Sequence, residues 1–343
     1  MTARRTLARG VSAMPLADLT WRLRRRRRGA GRALILMYHR ISNDPDYLGL
    51  SVAPQYFDAQ IGLLRRRTKV LPLGELVARL ARKQGLDEDL AAITFDDGYR
   101  DNFEVALPIL ERHGVPATVF VTTGFVDDAV LPVGDRLWRA VEVLWTEPST
   151  FPRFTNTAIT AAVRQTLAKP GSLETLRGLR QQLKVLPADE TEQVVATLEQ
   201  LTGVSKRESR PLPLMLTWHE VRVLAARGVE IGSHTVSHPI LSRIPETAAV
   251  RELRESKQRL EDVTGKPVMG FAYPNGQAAD FSQAHVTALV ELGYTHACSA
   301  VRGVNRPGSD TFRLRRIGVG NDSAAMLDLK LALGGPVQPP CAA

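Results

Sequence analysis

The sequence predicts an α/β protein whose parallel strands close into a barrel. Three features carry that expectation. Short apolar runs alternate with amphipathic stretches, no junction between them carries a hairpin signal, and the chemistry-bearing residues fall where apolar runs end. About seven or eight strands can be counted, which favours a barrel over an open sheet, and barrels place their chemistry where strands end and loops begin.

Taken in order, Ala33–Tyr38 (ALILMY) reads as a buried strand because it is an unbroken apolar run. Tyr56–Arg66 has Phe57, Ile61 and Leu64 at helical spacing, Lys69–Leu73 is a short strand, and Leu73–Lys83 is a helix with Leu76, Val77 and Leu80 inward. Ala91–Phe95 (AAITF) is a second apolar strand, ending on two aspartates. Val105–His113 is helical, Gly114–Pro116 breaks it, and Ala117–Thr122 is the next strand. Later come helix His219–Arg227, strand Val229–Gly232, helix Thr247–Thr264, strand Met269–Ala272, helix His285–Leu292 and strand Tyr294–Ser299. Between about 129 and 210 the rhythm stops. Leu167, Leu173, Leu176, Leu179 and Leu183 give that stretch a helical pattern, and it reads as a helical insertion in a core that spans 33–333. Residues 334–343 read as a disordered tail.

Composition excludes several classes. The chain has 343 residues, 44% of them apolar and 24% charged, with two cysteines, so neither a membrane-spanning protein nor a disulfide scaffold is expected. The formal charge is +9, but it is local. Ten arginines and a single acid, Asp18, lie in residues 1–32, which leaves the remainder balanced. This basic arm is expected to be flexible. It lacks the apolar stretch of a secretory signal, so a cytoplasmic location is expected, peripheral at the inner face of the membrane. Leu16, Leu19 and Leu23 beside Trp21, followed by five arginines, suit contact with an anionic lipid surface; a solvated basic tail is the alternative. A balanced body without aromatic-interleaved basic patches argues against nucleic acid.

Three motifs sit at strand ends. In Thr94-Phe95-Asp96-Asp97-Gly98-Tyr99 two adjacent carboxylates need a counter-charge, which a divalent metal would supply; an Asp-Gly turn with a helix cap is the alternative. In His234-Thr235-Val236-Ser237-His238-Pro239 two histidines at i and i+4 meet on one face if the loop makes a helical turn, and neutral imidazoles are preferred zinc ligands; exposed loop histidines are the alternative. Together they offer one carboxylate and two imidazoles with open positions, the donor set of a catalytic site. In Phe271-Ala272-Tyr273-Pro274-Asn275-Gly276, Pro274 and Gly276 fix a turn that can aim a backbone N–H, or simply form a loop.

These three motifs, in this order, resemble the polysaccharide deacetylase family, the NodB-homology group also called carbohydrate esterase family 4. The resemblance covers about 33–128 and 212–320. LMYHRI and NRPGSDTFRLRRI are similar to the branch that deacetylates the exopolysaccharide poly-N-acetylglucosamine. The resemblance implies a distorted (β/α)7 barrel and removal of an acetyl group from an N-acetylated sugar of a polysaccharide or glycan precursor. It implies Asp97, His234 and His238 as ligands of one divalent metal, zinc first with cobalt or nickel as alternatives. The same resemblance implies attack by metal-bound water with Asp96 as base, and the backbone N–H of Asn275 beside Pro274 as a donor to the oxyanion. Thr235 steadies the histidine loop, and Tyr99 and Asn102 have structural roles.

Two departures stand out. Many relatives have at position 272 an arginine that pairs with the catalytic aspartate, and here it is Ala272. The usual late Leu-x-His is missing, since that region reads LRRIGVGND. Of seven histidines, His113, His219, His285 and His296 fall on helices or strands away from loop mouths, which leaves His39, at the end of the first strand, as general acid. A catalytically impaired glycan-binding or scaffolding protein, or an O-acetyl esterase of the same fold, are the competing readings. The lack of an export signal favours a lipid-linked or nucleotide-linked precursor as substrate.

Overall fold

The computed structural model describes residues 18, 21, 31–44, 48–82, 85–128, 130–146, 155–204 and 214–334. Its elements run β1 (Ala33–Tyr38), β2 (Arg40–Ile41), β3 (Ser51–Val52), α1 (Pro54–Arg67), β4 (Lys69–Val70), α2 (Leu73–Ala81), β5 (Leu90–Phe95), α3 (Leu107–His113) and β6 (Thr118–Val121). Four helices follow: α4 (Val133–Thr146), α5 (Thr157–Leu167), α6 (Leu173–Lys184) and α7 (Ala188–Thr202). The chain then returns to strand–helix alternation with α8 (Trp218–Ala226), β7 (Glu230–Ser233), α9 (Glu246–Thr264), β8 (Gly270–Ala272), α10 (Gln283–Glu291), β9 (His296–Arg302), β10 (Leu314–Gly318) and α11 (Ala324–Leu333).

Seven strands close on themselves in the order β1, β10, β9, β8, β7, β6, β5 and back to β1, all parallel. β5 runs beside β1 over its full length, from Ala33 opposite Leu90 to Tyr38 opposite Phe95. Its other edge is shared: β4 pairs at Leu90 and Ala91, and β6 takes over at Thr94 and Phe95.

Period-two alternation sorts the strand residues between the inside of the barrel and the layer under the helices. Ala33, Ile35, Leu90, Ala92, Phe120, Ala272, Cys298 and Leu314 cluster inside. Leu34, Leu36, Tyr38, Ala91, Ile93 and Phe95 pack outward with Phe57 and Ile61 of α1. Continuing the inward series past each strand's end gives His39 after β1 and Asp96 after β5, and the same alternation turns Arg316 of β10 inward from Leu314. The site therefore grows out of the strand pattern.

The insertion has its own core. Leu137 and Val141 of α4, Val163 of α5, Leu179 of α6 and Val195 and Leu198 of α7 form a separate apolar cluster. Arg136, only 2% exposed, ties α4 to α7 through Glu199 and Glu192. Asn156 and Ser172 cap α5 and α6, their side chains accepting from Ile159 N and Thr175 N.

Several expectations need correction. The second strand of the sequence reading, Lys69–Leu73, is only Lys69–Val70, and the expected strand Tyr294–Ser299 is displaced to His296–Arg302. A π-helical turn, Asn102–Ala106, precedes α3. β10 and α11 were not anticipated. β10 reads Leu-Arg-Arg-Ile-Gly, and its central arginine is buried only because an acid inside the barrel receives it. Trp21 is not available to lipid. It is 3% exposed, its Nε1 donates to Asp328 Oδ1 at 2.8 Å, and the guanidinium groups of Arg32 and Arg67 lie 5.4 and 5.9 Å from the ring centre. Leu16, Leu19, Leu23, the arginine run and residues 335–343 lie outside the described residues. No helix among the described residues is long and apolar enough to cross a membrane.

Candidate metal centre and active site

Asp97 leaves β5 with φ 74°, and Gly98 follows with φ 85°. This left-handed pair turns the chain so that Asp97 faces the mouth beside inward-pointing Asp96. Of the five non-glycine residues with positive φ among the described residues, four are Asp97, Thr235, His238 and Asn275. Such conformations cost free energy and persist where surrounding contacts hold them.

The histidine loop contradicts the expected helical turn. His234–His238 is irregular, with Thr235 at φ 69° and His238 at φ 62°, and these two left-handed residues fold the loop back. The rings end with centroids 4.8 Å apart. Thr235 Oγ1 donates to His234 O and accepts from His238 N at 3.0 Å, so it bridges the two histidines. Glu252 of α9 clamps the loop from behind, accepting from Val236 N at 2.7 Å, Ser237 N at 2.9 Å and Ser237 Oγ at 2.7 Å.

One ligand atom from each of Asp97, His234 and His238 lies within 4.8 Å of the others. Nε2 of His234 is 3.4 Å and Nε2 of His238 is 3.3 Å from Asp97 Oδ1. His234 Nδ1 is 2.7 Å from Ala272 O, a contact that needs the proton on Nδ1 and leaves the Nε2 lone pair directed at Asp97. Asp97 Oδ1 is buried and accepts no hydrogen bond. Burial pushes His238 down to about 4, against the pull of Asp97, so it is neutral at pH 7. Three acceptor atoms thus converge on one point. A proton could satisfy one contact, whereas a divalent cation satisfies all three, so the residues fit a metal.

Asp96 is 3% exposed and receives both guanidinium nitrogens of Arg316, at 2.7 and 2.8 Å. Arg316 is also held by Ser299 O at 2.8 Å through Nε. Burial alone would raise the Asp96 pKa; Arg316, then the nearby His234, outweigh it and hold the group below the usual carboxylate range. This corrects the expectation that the aspartate lacks its arginine. Ala272 leaves space inside the barrel, and β10 supplies the guanidinium from another strand.

His39 is half-buried and lines the same cavity as Asp96, Asp97, His234 and His238, a space of about 600 Å³. Asn102 Nδ2 donates to its carbonyl at 2.8 Å, and Asp101 accepts from β2 at Ile41 N and Arg40 Nε. The segment after the two aspartates therefore fixes the residue after β1. Tyr99 donates to Asp135 Oδ2 at 2.8 Å, joining that segment to α4. Asn275 follows Pro274 at φ 58°, its side chain held by Asp280 and by Lys184 of the insertion. Its backbone N–H has no acceptor among the described residues. The other histidines lie elsewhere: His113 bonds Asp58, His285 sits in the cap of α10, His296 bonds Thr295, and His219 is exposed on α8.

A closed barrel of parallel strands thus carries at its mouth an Asp/His/His cluster that could hold a divalent metal, with a second buried carboxylate beside it. A sequence model of the polysaccharide deacetylase family matches residues 83–169 and 179–297. The chain belongs to the polysaccharide deacetylase family. YxkH of Bacillus subtilis (strain 168), named for the same family, is 36% identical over 88 residues; these are 25% of this chain and only 30% of that protein. Among solved structures, IcaB from Ammonifex degensii superposes with a TM-score of 0.57 at 18% identity, covering 87% of this chain and 96% of that one. The Streptococcus pyogenes deacetylase PplD, solved with acetate, gives 0.56 at 19% identity, covering 86% and 96%. At these identities the superpositions speak for the fold.

Proposed function

We propose that this protein removes an acetyl group from an N-acetylated sugar of a glycan or glycan precursor. The observation that carries the reading is Asp96, buried and held ionised by Arg316, directly beside the converging Asp97, His234 and His238. A divalent cation held by those three residues, zinc before cobalt or nickel, supplies Lewis acidity toward a carbonyl oxygen and makes water a stronger acid.

The chain's own residues do the rest. Asp96 takes the proton from the attacking water, and Arg316 keeps its two oxygens oriented for that transfer. The free backbone N–H of Asn275 donates to the oxygen that gains charge as the acetyl carbon becomes tetrahedral. His39, across the same cavity, gives a proton to the leaving nitrogen, which would otherwise depart as a poor amide anion. Thr235 and Glu252 hold the histidine loop, and Tyr99 holds the segment after Asp97.

Arg316 also removes one motive for reading the barrel as catalytically impaired, because the partner for Asp96 is present. The test is acetate release from N-acetylated hexosamine oligomers and from O-acetylated glycans, with zinc, cobalt or nickel supplied. Acetate from N-acetyl substrates is expected. Acetate from O-acetyl substrates alone overturns the amide reading in favour of an esterase.

A further inference from the structure

One wall of the cavity is cationic, and the catalytic reading makes no use of that charge. α6 of the insertion brings Arg180 and Lys184 to the cavity, and the 3-10 turn Leu241–Arg243 brings Arg243. Arg180 Nη1 donates to Leu48 O at 2.8 Å, and Lys184 Nζ donates to Asn275 Oδ1. The guanidinium of Arg243 has no hydrogen-bonding partner among the described residues, and only its backbone N–H is engaged, donating to Ile240 O at 2.9 Å.

The acids nearby are already committed. Asp96 is engaged at both oxygens by Arg316, and Asp97 faces the metal site. Glu192 receives both Nη atoms of Arg136, at 2.7 and 2.9 Å. Asp135 accepts from Tyr99 at Oδ2 and feels the charge of Arg180 without an ion pair to it, and Asp280 accepts from Asn275 Nδ2 and Gln277 N. No ion pair joins Arg180, Lys184 or Arg243 to any acid among the described residues. The three cations also feel one another. Burial, then Arg180 and Arg243, lower the Lys184 pKa against the pull of Asp280 and Asp97. Three like charges at the rim of a partly apolar cavity repel unless an anion joins them.

We propose that the acetylated sugar this site accepts carries a phosphoryl group, a phosphate mono- or diester, seated on Arg180, Lys184 and Arg243. Three cations suit a group with two charges and several acceptor oxygens, whereas a single carboxylate would need one arginine. Lys184 links the two functions: through Asn275 it touches the turn that serves the acetyl oxygen, so an anion on the insertion is read at the reacting end. The inference rests on the deacetylase reading and adds the class of substrate. A sugar 1-phosphate, a nucleoside diphosphate sugar and a lipid-linked sugar share this chemistry.

The test compares N-acetylglucosamine 1-phosphate with the uncharged methyl N-acetylglucosaminide on the zinc-loaded full chain. UDP-N-acetylglucosamine and a short-chain lipid diphosphate of the same sugar serve as further arms that separate the sources. The expected result is kcat/KM at least about 50-fold higher for the phosphorylated sugars, expressed mainly in KM, with that ratio falling about tenfold in R180Q and again in R243Q. Equal kcat/KM for charged and uncharged sugars, or an unchanged ratio in both variants, overturns the subsite and leaves the deacetylase reading intact. If no substrate releases acetate, the deacetylase reading fails. Calorimetric binding of the 1-phosphate to wild type and R180Q then still decides the subsite, equal affinities overturning it and a weakened variant supporting it.

Discussion

Asp96 and Arg316 are both almost fully buried, and such a pair costs more to break than it contributes in place. Arg316→Leu leaves a carboxylate stranded inside the barrel and should destabilise the fold by about 3–5 kcal/mol. The double variant Arg316→Leu with Asp96→Asn should recover a large part of that loss, because no charge is then left unpaired. Urea denaturation of the two variants checks this; a single variant within about 1 kcal/mol of wild type would refute the pairing. At this scale Asp96, Asp97, His234 and His238 were legible, because each stands at or just beyond the end of a strand with a clear apolar signal. Arg316 was not. Its strand looks solvent-exposed by composition, and only an acid from a strand distant in sequence makes burial of its guanidinium tolerable.

The histidine loop is an element whose shape depends on a helix well downstream. The i, i+4 spacing correctly paired His234 with His238, yet the means differ. Two left-handed residues close the loop, with Thr235 bridging inside it and Glu252 of α9 gripping it from outside. Nothing in HTVSHP announces Glu252, which lies well along an amphipathic helix and reads as an exposed charge. Glu252→Gln keeps the size but weakens three hydrogen bonds, so zinc affinity should fall about 10–100-fold. Titration against a competing chelator measures it, and an unchanged affinity would mean that the loop holds its shape alone. The insertion was legible as helical from its leucines. That α6 hands Arg180 and Lys184 to the site depends on how its separate core sits over the barrel mouth, which periodicity does not encode.

Across the whole molecule, the alternation of apolar runs and amphipathic stretches was enough to predict a parallel barrel, since strands covered on both faces leave continuous apolar stretches. β10 escaped notice because its arginines interrupt such a run. Global stability should carry the mark of His296, 4% exposed inside the sheet and pushed down by burial from 6.5 to about 4. Between these values the unfolded chain binds a proton that the folded one refuses. Stability should therefore be intact above about pH 6.5 and fall by about 3 kcal/mol as the pH drops to 4. His296→Gln should flatten that part of the slope, and an identical slope in the variant would assign the acid sensitivity to other groups. The charge of the chain divides in the same way: the surplus lies in the first 32 residues, where Trp21 is anchored on Asp328 and Arg67, while the barrel is balanced. The proposal stands or falls at the mouth of that barrel, where Asp97, His234 and His238 would hold a metal and Asp96 would move the proton. The most direct test is zinc content and acetate release measured together on Asp96→Asn. The account predicts one zinc per chain, as in wild type, and acetate release reduced about 10²–10⁴-fold; full activity with zinc bound would contradict it.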